Sequence, residues 1–331
     1  MNKQRVVVVG NGMAGARFVD DLLARGASDR FDVVMFGDEP CGNYNRILLS
    51  SVLSRSHKAS DIFINPMEWY AAKGIILHAG KRVEAIDLRT KRVSTADGLY
   101  EPYDKLIIAT GSSPVIPPFA NLRDEHGALK EGVFVFRTLE DCERIMQRAR
   151  SARRAAVIGG GLLGLEAARG LLNWGLETHV IHLMPHLMET QLDPGGADVL
   201  RRQFEQMGLH TRVATRTTAV LGNGHVAGLA FADAPPLECD LVVIAAGIRP
   251  NANLAADAGL QVNRGVVVAD DLGCFDGAHG TPVADVYAVG ECAEHRGRVL
   301  HGRSRRRDAG HPEGSGQRQP RPGEAAGGAG W

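Results

Sequence analysis

Apolar positions along this 331-residue chain fall into short runs separated by glycine turns. Val6–Val9 is apolar without alternation, which predicts a strand buried on both faces of a parallel sheet. Met13 to Arg25 has helical spacing, with Ala14, Phe18, Leu22 and Leu23 facing inward and Gly26 as its stop. Val33–Phe36 predicts a second strand, the span Asp61–Ala72 is expected to contain a short helix, and Ile75–His78 predicts a short strand. Val83–Ile86 and Arg92–Ser94, joined by a turn-like segment, predict a hairpin. Asp104 to Gly111 predicts a further buried strand ending in Ala-Thr-Gly, and Pro114, Pro117 and Pro118 a linker. A second series opens near Val133: a strand at Ala155–Ile158, a helix running to about Trp174 with Gly175 as its cap, and a strand at Glu177–His182. Leu241–Ala246 predicts a strand leading into a turn at Gly247, and Val286–Val289 one more, followed by Gly290 and Glu291.

Composition narrows the class. The length suits two domains, and 44% hydrophobic content can fill their cores. A net charge of +0 and a pI of about 7.2 give no footprint for nucleic acid or an acidic membrane surface. No apolar run is long enough to span a bilayer, and the run after Lys3 and Arg5 ends too soon for a signal peptide. The five cysteines are scattered with no C-x-x-C spacing, as expected of a cytoplasmic protein with reduced thiols. His182 and His186 stand four apart, but Pro185 breaks any helix between them, so no metal site is expected. His301–Gly330 is rich in Gly, Arg and Pro without apolar periodicity and is expected to be disordered. Arg303 and Arg305–Arg307 read as part of a solvated tail.

The chemistry lies in the turns. Gly10, Gly12 and Gly15 fall on the G-x-G-x-x-G spacing between a strand and a helix. The first glycine turns the chain, the second lets a pyrophosphate approach the backbone, and the third lets the helix sit close to the strand. The helix N-terminus then faces the phosphates. Asp38 and Glu39 follow the next strand, where an acid accepts the hydroxyls of an adenosine ribose; Asp38 is the better placed. Gly159, Gly161 and Gly164 repeat the device about 150 residues later, which argues for two nucleotide sites.

With both fingerprints in view, the chain resembles the FAD-dependent pyridine-nucleotide reductases. Three runs carry a closer likeness: Tyr44-Asn45-Arg46-Ile47-Leu48-Leu49-Ser50, Gly161-Leu162-Leu163-Gly164-Leu165-Glu166-Ala167-Ala168 and Tyr287-Ala288-Val289-Gly290-Glu291-Cys292-Ala293. They are similar to the N-terminal flavin module of assimilatory NAD(P)H nitrite reductase large subunits. The resemblance covers Gln4 to about Arg298. It implies an α/β fold of two dinucleotide-binding Rossmann-like domains, with the NAD(P)H domain (residues 121–245) inserted in the FAD domain (1–120 and 246–298), and an aberrant tail over 299–331. It implies that Gly10, Gly12, Ala14, Gly15 and Asp38, with Glu39, hold the ADP half of FAD. Val83, Thr110 and Gly111 would line its path, and Arg46, Ser50 and Arg137 would lie near the flavin. Gly290 and Glu291 would hold the ribityl hydroxyls. Gly159, Gly161 and Gly164 would hold the NAD(P)H pyrophosphate, with Glu166 beside the nicotinamide and Gly247 at the second site. Hydride would pass from NAD(P)H to FAD, then electrons to an iron–sulfur or sirohaem acceptor. An oligomer is possible.

Three departures from that pattern stand out. Ser51 replaces a lysine of related ferredoxin-type reductases, and His182 stands where NADH-using relatives carry an acid. The interface domain and the iron–sulfur and sirohaem ligands of the large subunit are missing, as expected of a C-terminally truncated chain. Two rival readings remain: an NADH oxidase or disulfide reductase working through Cys41, and a truncated nucleotide-binding fragment without turnover.

Overall fold

The computed structural model describes residues 3–300. Two sheets organise them. In the first, the strands Pro282–Ala288, Lys105–Ile108, Gln4–Val9, Phe31–Gly37 and Ile76–Ala79 lie side by side and parallel. The valine run explains its place at the centre. Val6 and Val8 point into one core with Val19, Met35 and Ile107, while Val7 and Val9 point into the opposite core with Phe36, Leu106 and Ile108. All four are buried, and each contributes roughly 1.5–3 kcal/mol.

The second sheet is parallel throughout, in the order Val133–Val135, Leu241–Ile244, Arg154–Ile158, Glu177–Ile181, Leu209–Arg212. It too is covered on both faces. Ala155, Val157 and Val180 meet one core, and Ala156, Ile158 and Ile181 the other. Three short antiparallel strands flank each sheet. The last strand of the first sheet follows the whole second sheet in the chain, so the second unit is inserted in the first. The chain leaves and returns through two paired segments, Ser112–Pro114 antiparallel to Ile248–Pro250.

Local structure refines several expectations. The short helix expected within Asp61–Ala72 is Met67–Ala72, preceded by a single turn Ala59–Ile62 and a strand Phe63–Asn65. Pro66 causes this, because the residue before a proline is pushed towards extended backbone. In the first helix, Met13–Ala24, Phe18, Leu22 and Leu23 pack against the core as expected, and Gly15, Ala16 and Val19 are buried more deeply; Ala14 is only partly buried. Residues 44–62 share a core with the second sheet: Tyr44, Leu49, Leu53 and Ile62 pack with Val157, Leu165 and Val180. The first residues of the tail expected from 299 are ordered into the fold. Arg298–Val299 pairs with Ala293–His295, and Leu300 packs on the first core. The rest of that segment lies outside the described residues. No helix among the described residues is long and apolar enough to cross a membrane.

Candidate functional site: two glycine-turn clefts

The two glycine turns are built alike. Gly10 N–H donates to Phe36 O and Gly159 N–H to Ile181 O, both at 2.9 Å, which fastens each turn to the end of the second strand. Gly10 and Gly159 sit at φ +120° and +128°, and a Cβ there would lie 2.1 and 2.2 Å from the carbonyl oxygens of Ala109 and Ala245. A Cβ at Gly15 or Gly164 would lie 2.1 Å from the oxygen of Gly10 or Gly159. These four glycines are therefore required by the protein's own packing. Gly12 and Gly161 differ: a Cβ there meets nothing within 4 Å. No close protein packing requires glycine at these two positions.

Both turns open helices, Met13–Ala24 and Leu162–Leu172, whose N-caps make no side-chain hydrogen bond and whose first turns carry no acid. Their leading N–H groups are thus left for an anion. The space over Gly12 and Gly161 and these free helix ends fit two pyrophosphates.

Beside the first turn lies a cavity of about 270 Å³, lined among others by Gly10, Asp38, Val83, Thr110 and Asn251. Asp38 borders it, with Arg82 Nη1 3.2 Å away. Glu39 turns elsewhere: its carboxylate accepts from the Tyr44 hydroxyl at 2.7 Å and pairs with Arg46. Thr110 borders the cavity, but its Oγ1 donates to the Asn251 carbonyl at 2.7 Å, and Asn251 Nδ2 donates back to Thr110 O at 2.9 Å. Gly111 and Gly247 end the corresponding strands of the two sheets, at φ +68° and +105°.

A second cluster joins the units. Arg137 Nη2 lies 2.6 Å from Glu291 Oε2 and donates to Ser112 Oγ at 2.9 Å, and Ser112 Oγ donates to the same carboxylate oxygen at 2.6 Å. Arg46 Nη1 donates to the Arg137 carbonyl at 2.8 Å. Arg137 Nε is buried without a protein acceptor and is a donor left for a ligand. Gly290 is at φ +77°, and a Cβ there would lie 2.5 Å from the Ala14 Cβ, so the Gly290-Glu291 corner is pressed onto the start of the first helix.

Ser50 and Glu166, distant in sequence, line one largely apolar cavity of about 490 Å³ between the helices Leu49–Leu53, Leu162–Leu172 and Pro194–Gln206. Ser51 lines it too. Gly170 lets Leu53 approach; a Cβ there would lie 3.0 Å from Leu53 Cγ. Sequence reasoning missed Ser112, Asn251 and Arg82. None belongs to a spaced motif, and the long-range contacts of Ser112 and Asn251 span more than a hundred residues.

Burial first, then the Glu39 carboxylate, pushes the Cys41 thiol pKa up against the opposing pull of Arg46. Glu177, His179 and His210 gather within reach of one ion, yet Arg154 already binds Glu177 at 2.8 Å.

Two sheets with parallel centres, each carrying a glycine turn between a strand and a helix, define a two-dinucleotide oxidoreductase of the FAD and NAD(P)H type. The chain belongs to the pyridine nucleotide-disulphide oxidoreductase family, whose model matches residues 4–314. It is 45% identical over 297 residues to a nitrite reductase [NAD(P)H] of Bacillus subtilis, a match covering 90% of this chain and 35% of that one. It is likewise 45% identical over 299 residues to the assimilatory nitrate reductase electron transfer subunit of Bacillus subtilis, covering 90% and 37%. The chain thus spans little more than a third of these curated relatives. Among solved structures, the covalent putidaredoxin reductase–putidaredoxin complex matches with a TM-score of 0.81 and 28% identity over 89% of this chain and 69% of that one. A ferredoxin reductase from Rhodopseudomonas palustris gives 0.80 and 26%, over 90% and 72%.

Proposed function

We propose that this chain takes reducing equivalents from NAD(P)H at the second cleft, passes them to FAD at the first, and delivers them to an iron–sulfur or haem acceptor protein or domain. The observation that carries this reading is the duplicated turn, in which a side chain at Gly12 or Gly161 would enter open space while the glycines on either side of each are required by packing. Bound FAD would supply a hydride acceptor that can give up electrons singly.

The chain's own groups supply position and field. The two helix N-termini face the pyrophosphates. Asp38 accepts the adenosine ribose hydroxyls of FAD, and Arg137 and Glu291 flank the flavin and its ribityl chain. Ser50 and Glu166 border the space for the nicotinamide, a cavity with largely apolar walls. Aligning two rings in contact is the entropic part of such catalysis. The relatives named for nitrite reduction and assimilatory nitrate reduction favour nitrogen-oxide assimilation; the eventual acceptor we propose is a sirohaem centre. We place the NAD(P)H domain within residues 121–245.

The test is a visible spectrum of the purified chain after FAD loading, followed by anaerobic NADH or NADPH and an oxidised [2Fe–2S] protein. Flavin bands that bleach with nucleotide and return with the acceptor support the reading. A chain that acquires no flavin bands defeats it.

A further inference from the structure

We infer that Glu189, aimed by His182, replaces the absent strand-end acid and selects an adenosine ribose with a free 2′-hydroxyl, so that NADH is preferred to NADPH. This rests on the reading of the second cleft as the nicotinamide-nucleotide site.

An acid at the end of the second strand accepts from the ribose 2′-hydroxyl and repels a 2′-phosphate. Here that strand, Glu177–Ile181, runs directly into His182. The imidazole is buried and folds back over the glycine turn. Gly160 N–H donates to His182 Nδ1 at 3.0 Å. A Cβ at Gly160 would lie 2.7 Å from the ring, so glycine at this middle position makes the seat for the histidine. With Nδ1 accepting, the ring proton resides on Nε2. That atom lies 2.9 Å from Glu189 Oε2 and donates to it.

The segment carrying the glutamate is fastened to the same turn. Met188 N–H donates to Gly160 O at 3.0 Å, and Leu187 packs against Gly160. Glu189 therefore sits one imidazole away from the glycine turn. Its side chain is 32% exposed, against 8% for His182. Among the described residues no lysine or arginine pairs with it. An unneutralised carboxylate accepts readily from a hydroxyl and opposes a phosphate of charge about −1.5 to −2.

The first turn shows the complementary packing. There the strand end is Gly37, the middle turn residue is Asn11, and a Cβ at Gly37 would lie 3.0 Å from the Asn11 Cβ. Large and small residues have exchanged places between the repeats. In the second repeat the acid has moved to a neighbouring loop, reached through the histidine.

The test is calorimetric titration of the FAD-loaded full chain with NAD⁺ and NADP⁺, on the wild type, Glu189→Gln and Glu189→Asp. The wild type should bind NAD⁺ about tenfold more tightly than NADP⁺. Glu189→Gln should weaken NAD⁺ about fivefold, leave NADP⁺ equal or tighter, and keep the flavin spectrum; Glu189→Asp should retain part of the preference. A merely structural role would weaken both nucleotides together. Wild-type preference for NADP⁺, or a ratio unchanged by Glu189→Gln, overturns the inference and leaves the NAD(P)H reading standing. If the FAD-loaded chain binds neither nucleotide, the underlying reading falls and the inference with it.

Discussion

Arg137 Nη2 and Glu291 Oε2 lie 2.6 Å apart although 154 residues separate them in the chain. Arg137 directly precedes Thr138, the cap of the helix Leu139–Ala149, and Glu291 follows the strand Pro282–Ala288. Ser112, in the outgoing connection, bonds both. One ion pair thus ties the entry of the inserted unit, the connection to it and the return of the chain to the first sheet. The Arg137 Nε is buried and has no protein acceptor, which leaves one donor of the guanidinium available to a ligand.

Arg137→Ala should therefore act twice. It leaves Glu291 without its guanidinium partner in a half-buried site, which costs about 1–3 kcal/mol in denaturant unfolding. It should also weaken FAD about tenfold or more by fluorescence titration, since a charge-assisted donor is lost. Arg137→Lys should recover much of the stability and little of the affinity, because an ammonium cannot present a planar fork. Equal FAD affinity in all three proteins would remove Arg137 from the flavin site.

The glycines separate packing from ligand. Gly10→Ala and Gly159→Ala drive a Cβ into a backbone oxygen at a left-handed φ and should cost at least about 3 kcal/mol. Gly12→Ala and Gly161→Ala meet no protein atom, and their backbones are extended at φ −77° and −82°. They should change stability by about 1 kcal/mol or less. Gly12→Ala should nevertheless lose FAD, and Gly161→Ala should lose only NAD(P)H. Thermal unfolding and nucleotide titration on the four variants check this; a strongly destabilised Gly161→Ala would contradict the assignment.

Much of this was legible in the sequence, and the reason is locality. Val6–Val9 announces a strand with two buried faces, and each glycine triplet has a fixed spacing that one strand–turn–helix must satisfy. What stayed hidden depends on contacts no short window contains. Glu39 is equivalent to Asp38 in sequence, yet Tyr44 and Arg46 draw it away from the adenosine cleft. His182 reads as a missing acid until Gly160 and Glu189 are seen on either side of its ring. The packing of residues 44–62 with the second sheet is likewise invisible, since it pairs Leu53 with a glycine, Gly170, more than a hundred positions away.

Cys41 should prove inert. Its thiol pKa is raised chiefly by burial and then by Glu39, so little thiolate exists near neutral pH. Alkylation should be slow and accelerate only at alkaline pH. Cys41→Ser should leave peroxide-dependent NADH oxidation and acceptor reduction unchanged within about twofold. Loss of turnover in Cys41→Ser would revive a thiol mechanism.

Acid stability should report on His179. Its pKa is lowered, first by burial, against the favourable bond to Glu177 at 2.8 Å. The folded protein therefore holds this ring neutral at a pH where the unfolded chain has begun to protonate it. The sign follows: this contribution is complete above about pH 6.5 and is lost as pH falls through the lower folded value. Glu177, held down to about 2 chiefly by Arg154, adds a second loss that begins below its ordinary 4.5. His179→Phe keeps the buried ring beside His210 and removes the titration. The wild-type denaturation midpoint should fall between pH 7.5 and 5.5 by more than that of His179→Phe, while both should decline together in stronger acid. Parallel curves across the upper window would show that His179 protonates equally in both states.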